Sequence, residues 1–415
     1  MPFFFALDSR AMARYAFIWE LGGAYGHLGR MIPVARELEQ RGHEVVFIIR
    51  ELVEAERLLG PHGFKWFQAP LWIGRVMNLP DPLSHAELLM QFGFLDPPAL
   101  LSICRAWRNL LGLLAVDAVL VDYSPTAVLA CRGLGLPLLN LANGFQVPPA
   151  SRPLPPLRWW QKAPPARLLD SEEQVKLVAN QVLFELGAPP IDGVMDILSC
   201  GADIFATLPE LDHYPSRQGG DFVGPIFALG RGEPVHWPAK GALKVFGYLK
   251  ANYGALDALL TVLRQLDASV LVHIPGVSRR TIETFSSDNL QISRQPLDIG
   301  QARESCDVAV LHAGVSTVAA MLLAGKPCLL FPQQLEQTMF ARSVEALGAA
   351  VSIPEAAAGQ FPRLIKRALA DASLQEKAAA FAAKYRSFDQ ADAIRTVAER
   401  CEAMVGRGNA RWAPS

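Results

Sequence analysis

Three adjoining stretches near the N-terminus constrain the fold more than any other feature. The apolar run "YAFIWE" (15–20) reads as a buried strand. "HLGRMIPVARELEQRG" puts Leu28, Met31, Ala35 and Leu38 at helical spacing before Gly42, a natural helix stop, and "HEVVFII" reads as the next strand. A strand–helix–strand beginning of this kind implies a parallel sheet with helices on its faces.

The alternation recurs in "DAVLVD" (117–122), a helix over 125–132 and "LPLLNLA", and again in a second series: "LKVFGYL", a helix over 255–266, "SVLVHIP", "NLQIS", "DVAVLH", a helix over 316–324 and "PCLLFP". Between the two series, residues 210–241 lose periodicity and gain Gly and Pro, as a linker does. A chain of 415 residues is long enough for two domains. The expected architecture is therefore α/β, with two facing Rossmann-like domains of parallel sheet: 1–212, a linker 213–241, then 242–390. A helical tail, 391–415, is free to pack back on the first domain, and the cleft between domains is the expected ligand site. Two segments stay open: the apolar, poorly periodic 71–113 is either a helical cover over the cleft or irregular packing. The loop around Trp159 and Trp160 is either a packed surface loop or a ligand- or membrane-facing one.

The formal net charge of −1 argues against a nucleic acid partner and against general attraction to anionic membrane. Six scattered cysteines with no C-x-x-C pair fit buried thiols in a reducing compartment. The apolar N-terminal run is too short to span a membrane and is ordered unlike a signal peptide, and Met12 is an alternative start, so a cytoplasmic protein is expected.

The most specific signal is "DVAVLHAGVSTVAAMLLAGKP" (307–327). A strand ends at His312, Ala313 and Gly314 allow close approach to the backbone, and Ser316 and Thr317 open a helix that Gly325 closes. Such a helix start offers free N–H groups and positive dipole density to an anion. The order His312, Gly314, Ser316, Thr317, Gly325, Pro327, Pro332, Glu336, Gln337 resembles the donor segment of the GT-B glycosyltransferases, particularly those that glycosylate small molecules and lipids from nucleotide sugars. By this resemblance His312, Ser316, Thr317 and the Gly314 amide hold the donor diphosphate, and Glu336 and Gln337 meet sugar hydroxyls; Arg294 departs from the family, standing where many members have an aromatic under the base, on which an Arg can also stack. The family's ribose-gripping Glu is replaced by Ala320, which leaves UDP and dTDP sugars equally compatible. No Asp-x-Asp occurs, so no metal is expected, nor any cofactor beyond the nucleotide sugar as co-substrate.

The loop "ELGGAYGHLGR" (20–30) does not fit Gly-x-Gly-x-x-Gly. It has Tyr25-Gly26-His27 where small-molecule glycosyltransferases have His-Gly-His, and its spacing is similar to the Gly-Gly-x-Gly-Gly-His loop of the lipid-linked N-acetylglucosaminyl transferases of peptidoglycan synthesis. Gly23, Tyr25 and Gly26 then form an acceptor-side loop, and the general base comes from His27, Asp122 or Glu20. The resemblance implies an inverting, metal-independent hexosyltransferase with a hydrophobic small-molecule or lipid acceptor, at the inner membrane face or free in the cytoplasm. A hydrolysing-type nucleotide-sugar epimerase and a non-catalytic nucleotide-sugar binder are the alternatives.

Overall fold

The computed structural model describes residues 12–23, 26–227 and 232–407. Its first sheet contains β1 (Arg14–Trp19), β2 (Glu44–Ile49), β3 (Lys65–Gln68), β4 (Ala118–Asp122), β5 (Leu138–Ala142), β6 (Asp203–Phe205) and β7 (Asp221–Phe222) in the order β3-β2-β1-β4-β5-β6-β7. Every pairing is parallel. The second contains β8 (Leu243–Tyr248), β9 (Ala268–His273), β10 (Leu290–Ser293), β11 (Val308–Leu311), β12 (Cys328–Leu330) and β13 (Ala350–Ser352), also all parallel, in the order β10-β9-β8-β11-β12-β13. The expected pair of Rossmann-like sheets is present.

β1 shows why its sequence is apolar throughout. Successive side chains point to opposite faces, so Tyr15, Phe17 and Trp19 enter one buried cluster while Ala16 and Ile18 enter another. The first cluster is roofed by helix Gly26–Gln40, through Leu28, Met31, Val34, Ala35 and Leu38, and by the final helix, Gln390–Arg407, through Ala393, Val397 and Cys401. Glu402 secures that return: it pairs with Arg41 at 3.1 Å and with His43 Nε2 at 3.1 Å. The last helix of the chain therefore braces the first domain.

The opposite face of the first sheet is covered by helices Pro97–Leu113, Pro125–Cys131 and Pro165–Glu185, which pack on one another. Most of the ambiguous 71–113 segment is thus sheet-covering helix with Leu100, Cys104, Trp107 and Leu111 buried, preceded by residues 71–84 without regular structure. The tryptophan loop is packed as well. Trp159 donates to the His213 carbonyl at 3.0 Å, and the Arg342 guanidinium of the second domain lies 4.4 Å above the Trp160 ring. Further contacts between the domains join Asn143 to Glu336 and Glu210 to both Lys384 and Tyr385. Among the described residues no helix is long and apolar enough to cross a membrane.

Glu20 follows β1 and is 1% exposed. Its carboxyl accepts from the Thr126 amide at 3.0 Å, capping helix Pro125–Cys131. Burial, set against hydrogen bonds from Thr126 and Ala127 and the Arg50 charge, pushes its pKa up to about 8. Between the ordinary value of 4.5 and about 8 the folded protein keeps a proton that the unfolded chain releases, so this group makes stability fall as pH rises through that window. Glu20→Gln keeps the acceptor and removes the titration. Its melting temperature should match wild type near pH 5 and exceed it above about pH 8, and parallel melting curves at all pH values would refute the assignment.

Candidate active site

In open parallel sheets, ligands gather where the strand order reverses, beyond the carboxyl ends of the strands. In the first sheet that point lies between β1 and β4, where Trp19 is the register partner of Asp122. In the second it lies between β8 and β11, where Tyr248 pairs with Leu311. Glu20, His27 and Asp122 lie about the first of these places, and His312, Gly314, Ser316 and Thr317 follow β11 at the second.

Asp122 ends β4 with no exposure to water. Burial opposes its ionisation, but the Arg30 guanidinium and His27 beside it more than offset this and hold its carboxyl at about 2. Arg30 binds it through two nitrogens, Nε to Oδ2 at 2.8 Å and Nη2 to Oδ1 at 2.6 Å. His27 Nδ1 lies 2.9 Å from Oδ1. Two lone pairs could not face each other at that distance, so Nδ1 carries the proton and donates to Asp122, leaving Nε2 as the basic nitrogen. Arg30 Nη2 is also 3.2 Å from Nδ1, placing a permanent cation beside the ring.

The ring is held in place on its flat face and edge. It stacks on Trp19 with centroids 4.9 Å apart and planes 16° from parallel. At its edge lies Gly22, with φ +87°, where a Cβ would come within 2.6 Å of Nε2; the Gly22 carbonyl accepts from Arg50 at 3.1 Å. A glycine is required here both for its backbone conformation and for the space. Gly23 and Gly26 are exposed with nothing close to a Cβ position, and Tyr25 lies outside the described residues. Glu20 is not hydrogen-bonded to this group: its carboxyl is buried and accepts from the Thr126 amide instead.

On the second sheet, β11 runs into Ala313, whose φ of +57° is strained for a non-glycine residue and turns the chain into helix Val315–Leu323. Gly314 is the N-cap residue and provides no side-chain cap; the space before it is open, and Ser316 and Thr317 are half-buried in the first turn. The first-turn N–H groups are therefore left without a side-chain cap and are available to an anion.

His312 departs from its expected role. Nδ1 donates to the Phe331 carbonyl at 2.7 Å, and Nε2 accepts from the Lys250 amide at 3.0 Å. Burial, with the Lys250 charge assisting and the Phe331 bond opposing, pushes its pKa down to about 4. The ring is neutral with no N–H to spare for a phosphate, so it ties together the ends of β8, β11 and β12 and shapes the helix start. Gln337 is buried and its oxygen accepts from the Gln333 amide at 2.9 Å, which fixes the side-chain amide. Glu336 is partly exposed at the cleft, and Arg294 is exposed beyond β10. Ala320 is buried in the helix. No group of three or more potential metal ligands occurs among the described residues.

Sequence reasoning missed Arg30, Asn143 and His213. Arg30 was discoverable, since it follows His27 by one helical turn and shares its face; Asn143 stands just past β5, at the strand end where ligands gather.

Comparisons with known proteins agree with the fold. Residues 257–404 match the family described as Erythromycin biosynthesis protein CIII-like, C-terminal domain. A zeaxanthin glucosyltransferase of Pseudescherichia vulneris is 23% identical over 75% of this chain and 80% of its own length. The UDP-N-acetylglucosamine–N-acetylmuramyl-(pentapeptide) pyrophosphoryl-undecaprenol N-acetylglucosamine transferase of Rhodospirillum centenum is 28% identical over 97% of this chain and 98% of its own length. The solved structure of a spinosyn rhamnosyltransferase complexed with thymidine diphosphate, 17% identical, superimposes with a TM-score of 0.68 over 93% of this chain and all of that one. With two parallel-sheet domains and relatives of this kind along its length, the chain has the fold of the GT-B glycosyltransferases and is similar to glycosyltransferases in sequence.

Proposed function

We propose that this enzyme is an inverting, metal-independent glycosyltransferase that moves a sugar from a UDP or dTDP sugar to a hydroxyl of a hydrophobic small-molecule or lipid acceptor. The observation that carries the reading is the pairing of two unlike switch points: a histidine anchored by a buried carboxylate on one sheet, and an uncapped helix start on the other.

In the proposed reaction the acceptor hydroxyl gives its proton to His27 Nε2 as its oxygen attacks the anomeric carbon. The bond from that carbon to the diphosphate oxygen breaks on the opposite face, which inverts the configuration. Asp122 orients the ring and favours the imidazolium, while Arg30 shares the same carboxylate and tempers that help. Negative charge building on the leaving diphosphate meets the amides of the first turn of helix Val315–Leu323, with the Ser316 and Thr317 hydroxyls beside them. A preorganised helix terminus of this kind serves where no Asp-x-Asp is available for a bridging metal.

The thymidine diphosphate in the rhamnosyltransferase neighbour, and the absence of a carboxylate at Ala320, support a donor that need not offer a 2′-hydroxyl. Relatives named for zeaxanthin and for an undecaprenol-linked acceptor support an apolar acceptor. Exposed Val53, Ile73 and Met77, in loops following β2 and β3, support peripheral contact at the cytoplasmic membrane face.

General-base assistance is worth about 10²–10⁴ in rate. His27→Asn should lower kcat by that order while nucleotide diphosphate affinity changes less than about twofold; a variant retaining near wild-type kcat would remove His27 from the mechanism. Asp122→Ala should in addition destabilise the fold by about 3–5 kcal/mol, because it strands Arg30 as an uncompensated buried charge, whereas His27→Asn should melt close to wild type. Equal melting temperatures for the two variants would show that Asp122 is not the structural counter-ion. Because His312 stays neutral, affinity for a sugar nucleotide should be flat from about pH 5 to pH 8; a rise in affinity on acidification, read by calorimetry and abolished in His312→Asn, would restore it as a phosphate ligand.

A further inference from the structure

Glu336 is held by only one of its two oxygens. Oε1 accepts from Asn143 Nδ2 at 3.0 Å, across the cleft from the first domain. Oε2 has no partner among the described residues, and the side chain is 33% exposed, so it remains open to a ligand. Asn143 is itself fixed: its Oδ1 accepts from the Phe145 amide at 3.1 Å, which turns Nδ2 toward Glu336. The Asn143 amide donates to Gln146 Oε1 at 2.7 Å, and Gln146 Nε2 lies 3.5 Å from Asp122 Oδ1. One short loop after β5 thus touches both the donor-side carboxylate and the carboxylate that orients His27.

Beside this contact stands His213, completely buried, with the Asn143 backbone as the polar group beside its ring and neither nitrogen in a hydrogen bond of good geometry. Its Nε2 is 3.9 Å from Glu336 Oε1, and its ring packs 5.3 Å from Phe340 and 5.7 Å from Phe145. Buried polar groups without partners are rare because each forfeits its solvation. A nitrogen left in that state one short displacement from a carboxylate marks a place where a bound partner completes the network.

We propose that Asn143 and His213 are positioning residues of the donor-sugar pocket: they hold Glu336 from across the cleft so that its free oxygen reads a hydroxyl of the transferred sugar. This rests on the donor reading above and adds two residues to it. A slight shift of Glu336 on ligand binding brings Oε1 within hydrogen-bond reach of His213 while Oε2 accepts from the sugar. Selection of the sugar is then built from both domains, and donors with a hydroxyl at the contacted position are favoured over deoxy analogues.

The test compares free nucleotide diphosphates with their hexose conjugates by calorimetry on the full-length protein, using UDP, dTDP and the corresponding glucose nucleotides. Asn143→Ala should leave diphosphate affinity within about twofold and weaken the hexose nucleotide roughly tenfold, the scale of a lost hydrogen bond to a charged group. His213→Phe, which keeps the ring packing, should weaken only the hexose nucleotide, and melting curves identify any misfolded variant. Glu336→Gln should lose a similar factor, and Asn143→Ala added to it should lose little more, since the two act as one unit. Equal effects on both ligands, full additivity with Glu336→Gln, or no effect of either Asn143→Ala or Asn143→Ser would overturn the proposal while leaving donor binding intact. Failure of the wild-type protein to bind any of the four ligands would overturn the donor reading itself, and this proposal with it.

Discussion

A carboxylate sealed from water must be neutralised where it stands, and Asp122 meets that requirement inside the first sheet's switch point. Arg30 pairs with both of its oxygens and His27 takes one of them, so three side chains from β4 and the first helix are fixed relative to one another. The rest of the site follows. With Nδ1 committed to Asp122, the imidazole presents Nε2, and the Trp19 ring and the glycine at position 22 decide where that nitrogen sits.

The second sheet solves a different problem with less charge. Its helix start has no side-chain cap, and the histidine before it is spent on bracing three strand ends. The proposed anion site there would rely on backbone N–H groups, which cost no ionisation and need no desolvation of a cation. The two sheets are tied together around the cleft by Asn143 with Glu336, Trp160 with Arg342, and Glu210 with Lys384 and Tyr385. The final helix returns to the first domain, where Glu402 binds Arg41 and His43. Glu336 and the His27–Asp122 pair therefore share one mechanical frame.

The central strands were legible because burial on both faces leaves a continuous apolar run, as in β1, β4 and β11. Edge strands β7 and β13, of 2 and 3 residues, carry no such signal, since so short a run shows neither period nor composition. The donor helix was legible from glycine, hydroxyl and proline spacing, yet the role of His312 was not: residue type announces a histidine, while its hydrogen bonds depend on Lys250 and Phe331, which are distant in sequence. The surroundings of Glu20 were hidden for a related reason. A carboxylate at a strand tip looks solvated until the helix starting at Pro125 is seen to bury it. The cross-domain partners of Glu336 were out of reach because Asn143 and His213 lie far from it along the chain and belong to the other domain.

The most direct test of the account is an experimental structure of the protein with an intact UDP or dTDP sugar. The account predicts the diphosphate against the amides of residues 314–317, with the anomeric carbon turned toward His27 Nε2 across the cleft. A diphosphate seated instead on the glycine loop before His27, or an anomeric carbon facing away from the His27–Asp122 pair, would contradict it.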